Sequence, residues 1–258
     1  MKTLTIAIPT YNRCDMLKAT LDSMIAAGIH HVPGVEIVVR DNASSDGTYR
    51  MLADYKREHG IQISRNARNV GMNENIGGLL MSCTTDYFVI TSDEDPVRHD
   101  GLLQLMALLE GNSFAFASTV FVSHGQLYRG RTGNAVPIPA ADFHYCSFYL
   151  SGLVFNTTLA QAAWEENSSF LYDRRCIYPQ TFTVCVLLAR YGCYYLPFEL
   201  CYVGGESDMN ALGEYWVPAA RIEQNSIREE FLNAKIAGAT SDTERAVFQA
   251  MAAVQVYR

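Results

Sequence analysis

The first 95 or so residues alternate short apolar runs with segments of helical period, and this alternation restricts the fold more than any other feature of the chain. Residues 4–8 read as a strand closed by Pro9. Leu17, Leu21, Met24 and Ile25 then recur at helical spacing, and Gly28 ends that helix. Residues 35–39 read as a second strand running into Arg40, Asp41 and Asn42. Ser44-Ser45-Asp46-Gly47 supplies a loop and helix cap, and residues 49–59 continue as a helix. A short strand at 61–64 and a helix at 73–83 lead into the run Tyr87-Phe88-Val89-Ile90. Such alternation implies an α/β protein: a mostly parallel central sheet flanked by helices and joined by right-handed crossovers.

Three of these strands end in polar, non-repeating sequence, at residues 9–13, 40–46 and 92–95. Open α/β sheets bind ligands beyond the carboxyl ends of their strands, so the three ends predict one pocket at one sheet edge. The last of them, Ser92-Asp93-Glu94-Asp95-Pro96, crowds three carboxylates where Pro96 stops the strand. These charges repel unless a cation offsets them, and a hard divalent ion commonly bridges one or two carboxylates to substrate phosphates. A metal–diphosphate site is one reading of the cluster; an acidic turn before a helix N-terminus is the other.

The balance of 20 Lys and Arg against 27 Asp and Glu gives a net charge of -7. That argues against a nonspecific nucleic-acid binder but leaves room for a pocket that takes one nucleotide. The seven Cys are scattered without a Cys-x-x-Cys pair, so reduced thiols are expected rather than a zinc site. The N-terminal apolar run is too short for a signal peptide, and the most apolar stretch, 183–198, is interrupted by Arg190 and Gly192. A cytoplasmic protein is expected, with peripheral contact at the inner face of the membrane left open.

The second half is less regular. Residues 102–109 read as a helix, 113–122 as a strand and 125–139 as a long loop or hairpin over the pocket. Residues 148–155 read as a strand with Ser151-Gly152 inside it, where glycine often marks close backbone approach to a ligand. Helices are expected at 156–164, 181–191, 216–235 and 242–256, a strand at 193–198 and a flexible loop at 203–214.

Four motifs now stand in order: Ile8-Pro9-Thr10-Tyr11-Asn12-Arg13, Asp41-Asn42-Ala43-Ser44-Ser45-Asp46-Gly47-Thr48, Asn69-Val70-Gly71-Met72-Asn73-Glu74-Asn75 and Ser92-Asp93-Glu94-Asp95. In order and spacing they resemble the family 2 glycosyltransferases of GT-A fold. The form Asn-x-Gly-x-x-x-Asn followed by Ser-Asp-x-Asp looks most like the abequosyltransferase-like bacterial branch. Tyr149-Leu150-Ser151-Gly152-Leu153-Val154-Phe155 and Tyr178-Pro179-Gln180 are similar to that branch as well.

The resemblance implies a single GT-A domain over residues 1–258, with a nucleotide-sugar-binding half (1–100), an acceptor-side half (101–215) and C-terminal helices (216–258). It implies transfer of a sugar from a nucleotide-diphospho-sugar to the hydroxyl of a saccharide or lipid-linked acceptor, in bacterial surface-polysaccharide or glycoconjugate biosynthesis. Pro9, Thr10 and Tyr11 would hold the nucleotide, the Tyr11 ring offering the base a face to stack on. Asp41 would accept a hydrogen bond from the base, which suits uracil or thymine N3–H and so a UDP- or dTDP-sugar. Arg13 would meet a phosphate or the ribose, or simply cap the helix that follows. Asn42, Asn69 and Asn75 belong to the same nucleotide set, whereas Gly71 relieves crowding in its turn. Asp93 and Asp95 fill the Asp-x-Asp positions. Asp95 would bind Mn²⁺ or Mg²⁺ directly, Asp93 would contact the ribose or a metal-bound water, and Glu94 between them would face away. Residues 204–213 read as a lid over the donor or as an ordinary connection.

Inverting family members deprotonate the acceptor hydroxyl with an Asp or Glu. The comparable stretch here, Tyr178-Pro179-Gln180, has no carboxylate. Asp173 is the candidate base, with Glu165, Glu166, Asp142 and His144 as further candidates, and inversion against retention stays open. Two rival functions are a sugar nucleotidyltransferase, which would need a basic Gly-rich loop that residues 9–13 lack, and a nucleotide-sugar-binding protein without turnover. A Rossmann dehydrogenase is disfavoured because no Gly-x-Gly-x-x-Gly follows the first strand.

Overall fold

The computed structural model describes residues 1–123, 126–129, 134–202 and 218–254. The proposed lid at 204–213 lies outside them. The alternation in the first half becomes β1 (Leu4–Thr10), α1 (Cys14–Ala26), β2 (Val35–Asp41), α2 (Thr48–His59), β3 (Gln62–Arg65), α3 (Met72–Ser82) and β4 (Tyr87–Ile90). After α4 (His99–Gly111) come β5 (Phe116–Ser118), the hairpin β6 (Val120–Ser123) and β7 (Gln126–Arg129), and β8 (Val136–Pro137). The rest comprises β9 (Leu153–Asn156), α5 (Thr157–Glu166), α6 (Ser168–Leu171), α7 (Pro179–Arg190), β10 (Cys193–Tyr195), α8 (Pro218–Gly238) and α9 (Asp242–Ala252).

One sheet runs in the order β3-β2-β1-β4-β9-β5-β10-β8. Its first four strands are parallel, so the carboxyl ends of β1, β2 and β4 share one edge. Beyond β4 the sheet departs from the expected parallel pattern, because β9 runs antiparallel to both β4 and β5. Successive strand residues face opposite sides. Leu4, Ile6, Ile8, Tyr87 and Val89 therefore join the apolar faces of α1, α2 and α4, while Ala7, Phe88 and Ile90 pack with α3, α5, α7, α8 and α9. β1 also continues through Pro9 to Thr10 rather than stopping at Pro9. Pairing with β4 ends at Ala7 opposite Ile90, so the missing Pro9 N–H lies past that ladder while β2 still runs alongside.

Two expected strands changed at the irregular edge of the site. The run 113–122 divides into β5 and β6 at Thr119, whose N–H and hydroxyl both donate to the Gly152 carbonyl. Residues 148–152 are not strand. Gly152 takes a φ of +89°, and β9 begins only at Leu153.

The segment after the acidic cluster is tied down over a long sequence distance. Arg98 N–H donates to Leu200 O at 2.8 Å, Tyr202 N–H donates to Pro96 O at 2.9 Å, and Val97 bridges Cys201. Gly101 permits this approach, since a Cβ there would stand 2.1 Å from the Glu199 carbonyl oxygen. Ala gains about 1 kcal/mol over Gly in a helix interior, but overpacking against fixed backbone costs about 1–3 kcal/mol. At this contact the clash dominates, and Gly101→Ala is expected to lose about 1 kcal/mol net in urea unfolding.

His144 gives a second stability expectation. It is buried among Tyr145, Phe148 and Tyr178. Burial, with Arg228 adding to it, pushes its pKa down to about 4. Unfolded histidine titrates near about 6.5, so at pH 5 the unfolded chain holds a proton that the folded chain does not. Stability should fall by about 2 kcal/mol between pH 7 and pH 5 from this residue. His144→Gln should flatten that part of the denaturant-measured pH profile.

Candidate functional site

The ends of β1, β2 and β4 and the start of α3 enclose a cleft of about 470 Å³. Its wall includes Pro9, Thr10, Tyr11, Arg13, Asn42, Asn69, Asn75, Asp93 and Glu94, together with Gly71, Met72, Ser92 and Leu150. The four motifs are thus brought to one place by parallel pairing. Tyr11 and Met72 are exposed there, so an aromatic ring and a thioether are both open to a planar ligand.

The three carboxylates have separate environments. Asp93 is buried, with Oδ1 accepting from Arg13 Nη1 at 2.7 Å and Oδ2 from Thr10 Oγ1 at 2.8 Å. Burial pushes the Asp93 carboxyl up, with Arg13 and Thr10 opposing. Burial also works against the Arg13 charge, but Asp93 and then Glu94 overcome it and raise the guanidinium pKa. Glu94 lies 3.4 Å from Arg13 Nη1; burial raises its carboxyl, Arg13 opposes this, and repulsion from Asp95 and Asp93 adds to it. Glu94 lines the cleft, where strict strand alternation would have turned it away.

Asp95 sits beside this wall rather than on it, 1% exposed. Its Oδ2 accepts from Tyr149 Oη at 2.8 Å and from Ser151 Oγ at 2.6 Å. Burial, and then the Asp95 charge, raise the Tyr149 phenol, so it stays protonated and donates. Ser151 Oγ in turn accepts from Ser92 N–H at 2.8 Å.

Asp41 is completely buried behind the cleft wall. Its Oδ1 accepts from Ser44 N–H at 3.0 Å, and Oδ2 faces Arg65 Nε at 3.3 Å as an ion pair without hydrogen-bond alignment. An amide lattice stands beside it: Asn66 Nδ2 donates to Asn42 Oδ1 and Asn75 Oδ1, and Asn42 Nδ2 donates to Asn69 Oδ1. Asn66 and Arg65 were missed in the sequence, although the recurrence of Asn at 66, 69, 73 and 75 was a usable signal.

The candidate bases do not gather at the cleft. Asp173 lies between α6 and α7, and its carboxylate accepts from Arg175 N–H, Nε and Nη2 at 2.9–3.0 Å. Arg175 holds the Asp173 carboxyl below the ordinary range despite partial burial. Glu166 pairs with Arg190 and Lys235, which with burial opposing bring it to about 2. Asp142 accepts from the Tyr195 hydroxyl at 2.9 Å. None of these, nor Glu165 or His144, lines the cleft.

Among the described residues, no three His, Cys, Asp or Glu side chains form a ready-made metal cage. The donor chemistry nonetheless fits a hard divalent ion. Every candidate ligand is a carboxylate oxygen, and ions such as Mg²⁺ are held by one or two carboxylates with substrate phosphates completing the shell. No helix among the described residues is long and apolar enough to cross a membrane.

Comparison with known proteins bears on the fold and the family. Abequosyltransferase RfbV of Salmonella typhimurium is 30% identical over 112 residues, covering 43% of this chain and 33% of that protein, so the match spans about a third of the relative's length. The crystal structure of Staphylococcus aureus TarS 1-349 in complex with UDP-GlcNAc superposes with a TM-score of 0.72 at 15% identity, covering 96% of this chain and 70% of that one. The mannosyltransferase PcManGT from Pyrobaculum calidifontis, in complex with GDP-Man and Mn²⁺, superposes with a TM-score of 0.63 at 17% identity, covering 97% and 69%. These likenesses establish a GT-A fold. The glycosyl transferase family 2 profile extends from residue 5 to residue 181, taking in all four motifs, and the chain belongs to that family.

Proposed function

We propose that this protein is a metal-dependent glycosyltransferase that moves a sugar from a nucleotide-diphospho-sugar to an acceptor hydroxyl. The observation that carries the reading is the convergence of Tyr11, Arg13, Asn42 and Asp93 from three parallel strand ends on one cleft. The UDP-GlcNAc bound by TarS and the GDP-Man and Mn²⁺ bound by PcManGT support the substrate class. Tyr11 would stack on the base, and Asn42, Asn69 and Asn75 would bond base or ribose. Asp41 suits the N3–H of uracil or thymine, provided Arg65 yields part of that carboxylate. Arg13 would follow the diphosphate, and Asp95, with Asp93 nearby, would hold Mn²⁺ or Mg²⁺. The ion offsets charge building on the departing diphosphate. The RfbV relative is by name an abequosyltransferase, which accords with sugar transfer; the acceptor would be a saccharide or a lipid-linked acceptor, met at the cytoplasmic side in surface-polysaccharide assembly.

Incubation with a panel of nucleotide-sugars and Mn²⁺ should release nucleoside diphosphate. Pyrophosphate from a nucleoside triphosphate and a sugar phosphate would instead establish a nucleotidyltransferase. Asp95→Asn keeps an acceptor for Tyr149 and Ser151 but removes the charge. It should abolish the Mn²⁺ dependence of UDP binding in calorimetry while the melting temperature stays within a few degrees of wild type. Unchanged Mn²⁺ dependence would sink the metal role.

Asp173 enters this reading as a base only if Arg175 releases it, and its geometry favours anchoring the loop to α8 through Arg175 and Glu230. Asp173→Asn and Arg175→Ala should therefore behave alike, each mildly lowering the melting temperature and turnover. A loss of about 10²-fold or more in kcat for Asp173→Asn alone would restore it as the base.

A further inference from the structure

Asp95 is approached by two hydroxyl groups from one short segment, and nothing in the donor-site reading uses either of them. Tyr149 and Ser151 lie two residues apart in the irregular stretch before β9, and both donate to the same oxygen, Oδ2, at 2.8 and 2.6 Å. Two donors on one oxygen fix the rotation of the carboxylate about its Cβ–Cγ bond, and with it the direction of Oδ1. The donors are themselves held. Ser151 Oγ accepts from Ser92 N–H, and Gly152 closes the segment with its positive φ while its carbonyl is anchored by Thr119. From the other side, Thr91 Oγ1 donates to the Asp95 carbonyl at 2.6 Å. Ser151 is fully buried and its hydroxyl is positioned by backbone, so it is a built support rather than a passing surface contact.

We propose that Tyr149 and Ser151 are positioning residues that orient Asp95 for a divalent cation. The proposal rests on the reading of Asp95 as the metal ligand. Both hydroxyls are neutral, so they aim the carboxylate without cancelling the charge a cation needs. Groups that hydrogen-bond a metal-binding carboxylate typically account for about 10–100-fold in metal affinity.

The test is Mn²⁺ binding in the presence of UDP, followed by electron paramagnetic resonance, with UDP affinity in chelator and the melting temperature measured alongside. Tyr149→Phe removes one O–H and keeps the ring, and Ser151→Ala removes the other. Each should weaken Mn²⁺ binding about 10-fold while metal-free UDP affinity holds, and Ser151→Thr should recover affinity over Ser151→Ala. Weakened Mn²⁺ binding in wild-type-like folds supports the proposal. If Asp95→Asn abolishes Mn²⁺ binding but both hydroxyl variants bind like wild type or more tightly, the positioning role is overturned and the metal reading stands. If wild type itself binds no Mn²⁺ with UDP, both are overturned.

Discussion

Asp93, Glu94 and Asp95 follow one another just beyond β4, and two separate parts of the molecule compensate them. Arg13, at the entrance to α1, pairs with Asp93 and reaches Glu94. Tyr149 and Ser151, from the turn before β9, take Asp95. Asp93 is buried and Arg13 partly so, and their pair ties the chain after β1 to the chain after β4 beyond where the two strands' ladder stops. The crowding of charge that suggests a ligand site is therefore also what joins the donor side of the cleft to the strand that follows it.

The same division explains which features were readable in advance. Strands β1 to β4 come from local period and are joined by short helices, so their parallel sense follows from the connection rules. Residues at their ends had to meet, and they do. The antiparallel entry of β9 between β4 and β5 carries no local signal, because a run such as Leu153–Asn156 looks the same in either direction. Residues 113–122 and 148–155 read as single strands because their interruptions, at Thr119 and at Tyr149 to Gly152, answer to partners elsewhere in the chain.

Site residues divide along the same line. Thr10, Arg13 and Asp93 were legible because strand ends converge, but the partner of each atom was not. Asp41 was expected to face a ligand, yet Arg65, its register partner on the neighbouring strand β3, shares its carboxylate. Asp173 looked available as an isolated loop acid, while Arg175 two residues later wraps it and continues to Glu230 on α8. A carboxylate's usefulness as a base depends on what else touches it, and that is long-range information.

The cleft walls also hold backbone strain that a flexible loop would not keep. Asn12 and Ala43 take φ of 52° and 63°, in the left-handed region that costs an L-residue about 1–2 kcal/mol. They follow the two neighbouring strand ends, and their loops hold each other. Asn12 N–H donates to Ser44 Oγ, Ser45 N–H donates to Asn12 Oδ1, and Asn42 N–H donates to Thr10 O, all at 2.8–2.9 Å. Asn tolerates this conformation through local hydrogen bonding, but Ala has no such means, so Ala43 depends on the neighbouring loop. Strain of this kind persists only where the surroundings over-determine it. Tyr11, Arg13 and Asn42 are therefore carried on two loops that brace one another before any ligand arrives, and the entropy of ordering them is met in folding rather than in binding.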